Sequence, residues 1–199
     1  MKIYFTSDTH FGHANILRFS KRPFHSVPEM NEALCENWAS VVTDRDHIYH
    51  LGDVVFGKNF KEVAAYIDMV RKLPGRKFLV PGNHDRKYLS LLGWAFKEIL
   101  PPLCELNVQP KDKIRHTVIL SHFPMTSWSK SHHGALQLYG HLHGAFLGNQ
   151  QQTDVGVDAW NYKPVDIDQI LERLATLPPR FPLESQFSDF EEVSDVNLS

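Results

Sequence analysis

Residues 74–85 read PGRKFLVPGNHD. A Pro-Gly turn is followed by Lys77 to Val80 with strand character. A loop then opens with Pro81 and Gly82 and sets Asn83, His84 and Asp85 side by side. Pro, Gly, Asn and Asp are common turn residues, so a turn explains the loop's shape; a chemical role for it needs partners elsewhere in the chain. The same scheme recurs upstream. KIYFTSD (2–8) is β-rich and ends near Asp8, and HIYHLGDV (47–54) reads as a strand from His47 to Leu51 before a glycine-bounded loop. Between these strands, Pro28 sits where a helix can begin, and Met30, Leu34, Trp38 and Val41 fall at helical spacing. A further helix covers about Phe60 to Leu73, while the segment from Phe11 to Val27 looks irregular, with a helical turn around Ile16 to Phe19. Strand, helix, strand, helix, strand predicts an α/β layer with parallel strands, and such sheets build their sites at the carboxyl ends of the strands.

Downstream the pattern changes. FKEIL, CELNVQ, RHTVILSH, ALQLYGHLHG and QTDVGVDAW are strand candidates separated by short turns, which predicts a second, partly antiparallel sheet packed on the first with helices outside. VDIDQILERLATL is a late helix with Ile167, Ile170, Leu171 and Leu174 on one face. From Pro178 the chain is Pro-rich, then acidic and polar. We read one domain over 1–177 and a loosely attached tail over 178–199.

The 199 residues suit one domain with a sizeable core. Lys and Arg total 21 against 23 Asp and Glu, so there is no broad basic surface to mark a general nucleic-acid binder. No run approaches the ~18 apolar residues of a membrane span, and the apolar run at the N-terminus is too short for a signal peptide. Cys35 and Cys104 match no metal or disulfide pattern. A cytoplasmic protein with two structural thiols is expected.

Five polar clusters stand at predicted strand ends: SDTH (7–10), LGD (51–53), GNHD (82–85), SHFP (121–124) and GHLHG (140–144). Each alone is a weak signal, because a lone histidine is more often a hydrogen-bonded structural residue. As a set they supply Asp8, His10, Asp53, Asn83, His122, His141 and His143. Asp8 and His10 are two apart, as are His141 and His143, so in extended backbone each pair points to one side. Imidazole, carboxylate and amide oxygen suit Mn, Fe, Zn, Co or Ni, and the absence of cysteine argues against a closed structural zinc site. Seven donors exceed one metal's needs. They point to two divalent ions about 3.5–4 Å apart sharing a carboxylate, a centre that stays positive and attracts phosphate.

In order and spacing these motifs resemble the calcineurin-like metallophosphoesterase superfamily, over Lys2 to about His143. The resemblance implies a four-layer α/β/β/α sandwich of two mixed sheets and a dinuclear site. Asp8, His10 and His143 would hold one metal, and Asn83, His122 and His141 the other, with Asp53 as the bridge and Mn²⁺ as the expected ion. It makes His84 the catalytic general acid or leaving-group stabiliser, with Asp85 either orienting it or shaping the turn. The implied reaction is in-line attack on phosphorus by a metal-bridging hydroxide. FGHANI (11–16), WSKSHHGALQLYGHLHG (128–144) and VGVDAWNYKPVDIDQI (155–170) resemble a compact subgroup of bacterial and phage phosphoesterases. Purple acid phosphatases of this superfamily carry a metal-binding tyrosine three residues after the bridging aspartate. Phe56 stands there instead, so no iron-phenolate colour is expected.

The remaining candidates stay open. His13 lies beside the first motif and either touches substrate phosphate or only shapes the loop. His133 reads as structural, and Phe11, Phe56, Trp128, Phe146 and Trp160 read mainly as core with base stacking as the alternative. The basic RKLPGRK (71–77) reads as a solvated turn. With no evident cap, an open site for phosphodiesters or nucleotides is favoured. The alternatives are a phosphomonoesterase, or a silent binding module on the same fold. Oligomeric state is not legible.

Overall fold

The computed structural model describes residues 1–111 and 113–180. The first sheet has the order β4-β3-β2-β1-β9. Strands β1 (Ile3–Thr6), β2 (His47–His50), β3 (Arg76–Leu79) and β4 (Glu98–Ile99) run parallel, and β9 (Val165–Asp166) closes one edge antiparallel to β1. The second sheet has the order β5-β6-β7-β8, from β5 (Leu103–Val108), β6 (His116–Ser121), β7 (Leu136–Tyr139) and β8 (Gln152–Asp154). Only the β5–β6 pair in it is antiparallel.

Period-two alternation in the first three strands serves two interiors at once, as expected for a sheet buried on both faces. Tyr4, Ile48 and Leu79 face one apolar cluster, with Met30, Leu34 and Trp38 of α2 (Val27–Ala39) and Val63, Ile67 and Val70 of α3 (Phe60–Lys72). Phe5, Tyr49 and Phe78 face the other, against Val118, Leu120, Leu136 and Leu138 of the second sheet. After the short helices α1 (Ala14–Phe19) and α4 (Leu89–Leu92), the last helix, α5 (Ile167–Thr176), adds Ile170 and Leu174 to that intersheet core. The outer side of the second sheet is covered by residues 123–135, which pack Trp128 and Ala135 on Ile119. The result is the α/β sandwich expected, with a thin outermost layer.

Local sequence sets the helix ends. Ser26 and Asn59 cap α2 and α3 by accepting from Glu29 N and Glu62 N, and Asp166 with Gln169 forms a reciprocal capping box on α5. That box explains one departure from expectation: Val165 and Asp166 belong to β9, and the helix starts after its capping aspartate. FKEIL also differs, since its Glu98–Ile99 pairs with β3 in the first sheet. QTDVGVDAW leaves the sheet at Asp154, and Val157–Ala159 forms a 3₁₀ turn. Val41 lies beyond α2, where Val42 takes the buried position. In RKLPGRK, Lys77 is buried and its ammonium donates to Leu73 O and Gly75 O, tying the end of α3 to β3. Cys35 and Cys104 are free and half-buried, and burial pushes both thiols up to about 11. Of the tail expected from 178, Pro178 accepts from Gln150 N and Arg180 stacks over Trp128. Residues 181–199 lie outside the described residues.

Candidate metal centre

All five polar clusters follow the carboxyl ends of strands. Asp8 and His10 leave β1, Asp53 leaves β2, Asn83 and His84 leave β3, His122 leaves β6, and His141 and His143 leave β7. They converge, but not by strand alternation. Asp8, His10, Asp53, His141 and His143 all take left-handed backbone, with φ of 57°, 49°, 58°, 71° and 50°. Each such residue costs on the order of 1–3 kcal/mol and persists only where its surroundings enforce it. Here Asp8 N donates to Gly52 O (3.0 Å), His10 N to Asp53 O (3.0 Å) and His141 N to Asp8 Oδ2 (2.8 Å). The extended geometry expected for the two D/H-x-H pairs is therefore replaced by bonded left-handed turns. Two glycines permit the crowding: a Cβ at Gly82 would run into Asp53 Oδ1, and one at Gly140 into Asp8 Oδ2.

The donors form two groups whose atoms lie within 4.8 Å of one another, Asp8 with His10 and His143, and Asp53 with His122 and His141. Asp53 Oδ2 stands between them, 3.6 Å from His10 Nε2 and 3.5 Å from His122 Nε2. Asn83 Oδ1 is 3.0 Å from His122 Nε2, within the second group. Asp8 Oδ1 and His10 Nε2 are buried with no hydrogen-bond partner among the described residues, a cost that cation coordination would remove. The hard-to-intermediate O/N donor set and these orphaned atoms fit divalent metal ions.

Ring nitrogens are oriented from behind, as metal-binding imidazoles require. His122 Nδ1 donates to Leu51 O at 2.7 Å and His143 Nδ1 to Asp158 Oδ2 at 2.7 Å, so each turns Nε2 inward. Asp158 is gripped in turn by Arg22, with Nε to Oδ1 and Nη2 to Oδ2 both at 2.8 Å. The same guanidinium donates to Thr9 O at 3.0 Å and Asp8 O at 2.6 Å, pinning the left-handed turn. Burial pushes the Asp8 carboxyl up to about 7 and the His10 imidazole well below its ordinary value. At His122 burial opposes the charge, but the Asp53 and Asp8 carboxylates prevail and raise it to about 9. At Asp53 burial is likewise outweighed, by His122 and His10, and its carboxyl is held well below the usual range.

His84 N donates to Asp53 Oδ1 at 2.9 Å, while its half-exposed ring places Nε2 3.9 Å from Asp53 Oδ2, at the mouth of the site. Asp85 does not orient that ring. Its carboxylate accepts from Asp53 N (2.7 Å), Val54 N (3.0 Å) and Gly82 N (2.8 Å), binding the β2 and β3 loops together. His13 is buried against the site, with Nδ1 3.3 Å from His10 Nδ1 and its ring stacked on Phe56 at 4.1 Å. Sequence reasoning missed Arg22 and Asp158; the isolated charge of Asp158 in VGVDAW is a hint, whereas Arg22 sits among the basic residues of RFSKR and carries none. Phe11, Trp128 and Trp160 are packed. His133 sits in a 3₁₀ turn and belongs to neither donor group. Beside the donors opens a cleft of about 840 Å³.

The calcineurin-like phosphoesterase profile matches residues 1–173. The chain belongs to the calcineurin-like phosphoesterase family. This phosphoesterase is 35% identical to an uncharacterised protein of Methanocaldococcus jannaschii, over 86% of this chain and 90% of the other. It is 32% identical to the Gene 66 protein of Mycobacterium phage D29, over 85% and 94% of the two chains. Among solved structures it resembles a protein of unknown function from Aquifex aeolicus, with a TM-score of 0.65, 27% identity, and 86% and 98% of the chains covered. Family and donor groups together indicate a dinuclear divalent metal site, and phosphoester hydrolysis is the family's chemistry. Among the described residues no helix is long and apolar enough to cross a membrane.

Proposed function

We propose that the chain hydrolyses phosphodiesters or nucleotides, with Mn²⁺ the working metal. Asp8, His10 and His143 would hold one ion and Asn83, His122 and His141 the other, bridged by Asp53. Bound there, two divalent cations would polarise phosphoryl oxygens and lower the pKa of water to yield the nucleophile. The chain's own residues do the rest. Asp53, fixed by His84 N, keeps the two donor groups in register, and Asn83 presents its amide to both the second group and substrate. His84 Nε2 reaches past Asp53 into the cleft and donates a proton, or a hydrogen bond, to the departing oxygen. His13, stacked on Phe56 and held neutral by burial down to about 4, offers a neutral hydrogen bond to a phosphoryl oxygen. No side-chain nucleophile is required.

The observation that carries the diester reading is the cleft, which extends well beyond the donors along α1 (Ala14–Phe19) and residues 142–145. Among the described residues no second domain or cap covers it, so a second ester group has room. The test compares bis(p-nitrophenyl) phosphate with p-nitrophenyl phosphate, using chelator-stripped protein reloaded with Mn²⁺. Diester turnover is expected to exceed monoester turnover and to fall about 10²–10⁴-fold in His84→Ala. Faster monoester cleavage would transfer the assignment to a phosphomonoesterase, and silence on both with two metals bound would favour a binding module.

A further inference from the structure

The cleft has a wall that the hydrolytic chemistry leaves unused. Ile16 and Phe19 of α1 both line it, three residues apart and hence on one side of the helix. The two residues differ in depth. Ile16 is 3% exposed at the base, whereas Phe19 is 65% exposed, about 4.5 Å further along the axis. The Arg18 guanidinium lies 5.4 Å from the Phe19 ring centroid. Lys21 follows in left-handed backbone, with φ of 49°, and also lines the cleft. It has no ion-pair partner among the described residues. Ala145 and Leu142 face this wall from the loop that carries His143.

The wall is fixed relative to the donors. Its end is closed by Arg22 N donating to Leu17 O at 2.9 Å, and the Arg22 side chain is the one that holds Asp158 and the Asp8 carbonyl. The backbone that carries the exposed Phe19 ring and the Lys21 ammonium is thus tied to the donor groups. Among the lining residues Asp53 is the sole acid, and it belongs to the donor set.

We propose that this wall is a nucleotide subsite, in which a base stacks on Phe19 above Ile16 while a second phosphate meets Lys21. The assignment rests on the phosphoesterase reading above. A purely apolar ester group would use Phe19 and leave Lys21 without a counter-charge, and a small polyanion would use Lys21 and leave Phe19 in water. A nucleotide with a phosphate beyond the one on the metals uses both.

Calorimetric titration of the Mn²⁺-loaded protein tests this with inorganic phosphate, ribose 5-phosphate, AMP and adenosine 3′,5′-bisphosphate. AMP is expected to bind about tenfold more tightly than ribose 5-phosphate, the effect of stacking one base. The bisphosphate is expected to bind about threefold more tightly than AMP, the effect of one exposed ion pair. Phe19→Ala should abolish the first ratio and Phe19→Tyr retain it, while Lys21→Gln should abolish the second. Equal affinities for AMP and ribose 5-phosphate, or ratios that survive these substitutions, would overturn the subsite while inorganic phosphate binding left the metal centre standing. Failure of inorganic phosphate to bind would remove both.

Discussion

Asp8 and His10, in one half of the metal centre, are 0% and 2% exposed, whereas Asn83 in the facing half is open to solvent and His141 is half-buried. Their supports differ in the same direction. The first half is backed by the buried Arg22–Asp158 pair, with side chains 0% and 5% exposed. In the second, His122 leans on a single backbone carbonyl, that of Leu51. The two fully buried donor atoms that lack a hydrogen-bond partner among the described residues, Asp8 Oδ1 and His10 Nε2, both lie in the first half. Burial pushes the Asp8 carboxyl up to about 7, so a cation arriving there would relieve an electrostatic cost, whereas in the other half Asn83 and His141 stay partly hydrated. The expectation that follows is that, with two cations bound, the Asp8 and His10 half holds its ion the more tightly, and the metal-binding steps measured below test it.

Asp53 is the point at which this difference should vanish, because its Oδ2 lies 3.6 Å from His10 Nε2 and 3.5 Å from His122 Nε2. Asp53→Asn keeps an oxygen for His84 N but loses the charge. It should lower turnover about 10³-fold, the upper range for removing one preorganised charged or polar contact. Calorimetry should then show both metal-binding steps weakened, with circular dichroism unchanged. Loss of only one step would mean that Asp53 belongs to one half and is no bridge.

The Arg22–Asp158 pair separates the halves. Asp158→Asn should weaken the first metal about 10–100-fold, as lost support behind a metal-binding imidazole does, and leave the second step near its original value. Arg22→Ala removes one partner of a buried pair and should also cost about 3–5 kcal/mol in a denaturant melt. Arg22→Lys should not restore it, since an ammonium cannot reproduce the two parallel bonds to Asp158. Equal weakening of both metal steps in Asp158→Asn would contradict the asymmetry.

How much of this was legible follows the same division. The motif order points to the seven side chains that the fold brings together, because carboxylates, amides and imidazoles at strand ends are sequence features, and the first sheet's strands are visible in their apolar runs. The left-handed turns were not legible: non-glycine residues rarely adopt them, and only contacts such as Gly52 O to Asp8 N, made across 44 residues of chain, stabilise them here. Arg22 was hidden for a related reason. It lies in a segment without periodicity, and its meaning comes from Asp158, 136 residues away. Asp85 stays open between two roles in the sequence because its neighbour there is His84, and its three bonds to backbone decide for the loop. β9 is a two-residue strand that an amphipathic helix pattern absorbs.

A smaller effect tests whether the buried half owes its rigidity to the layer beneath it. Thr9, between Asp8 and His10, donates its hydroxyl to Val54 O at 3.0 Å and lies 3.0 Å from His50 Nε2. His50 is fully buried, and its Nδ1 accepts from Gly52 N at 3.2 Å. That bond assigns the proton to Nε2, which therefore donates to Thr9. Burial holds this imidazole neutral, down to about 3. Thr9→Val keeps the shape and strands the buried His50 N–H, while Val54 O keeps its bond from Phe11 N, and should cost about 1–3 kcal/mol in a urea melt. Because the strained turn loses a tie on the first-half side alone, the first metal step should weaken more than the second. A Thr9→Val protein that melts early but binds both metals as before would show that the Arg22 clamp alone fixes the turn, and that the Thr9–His50 layer serves only the fold.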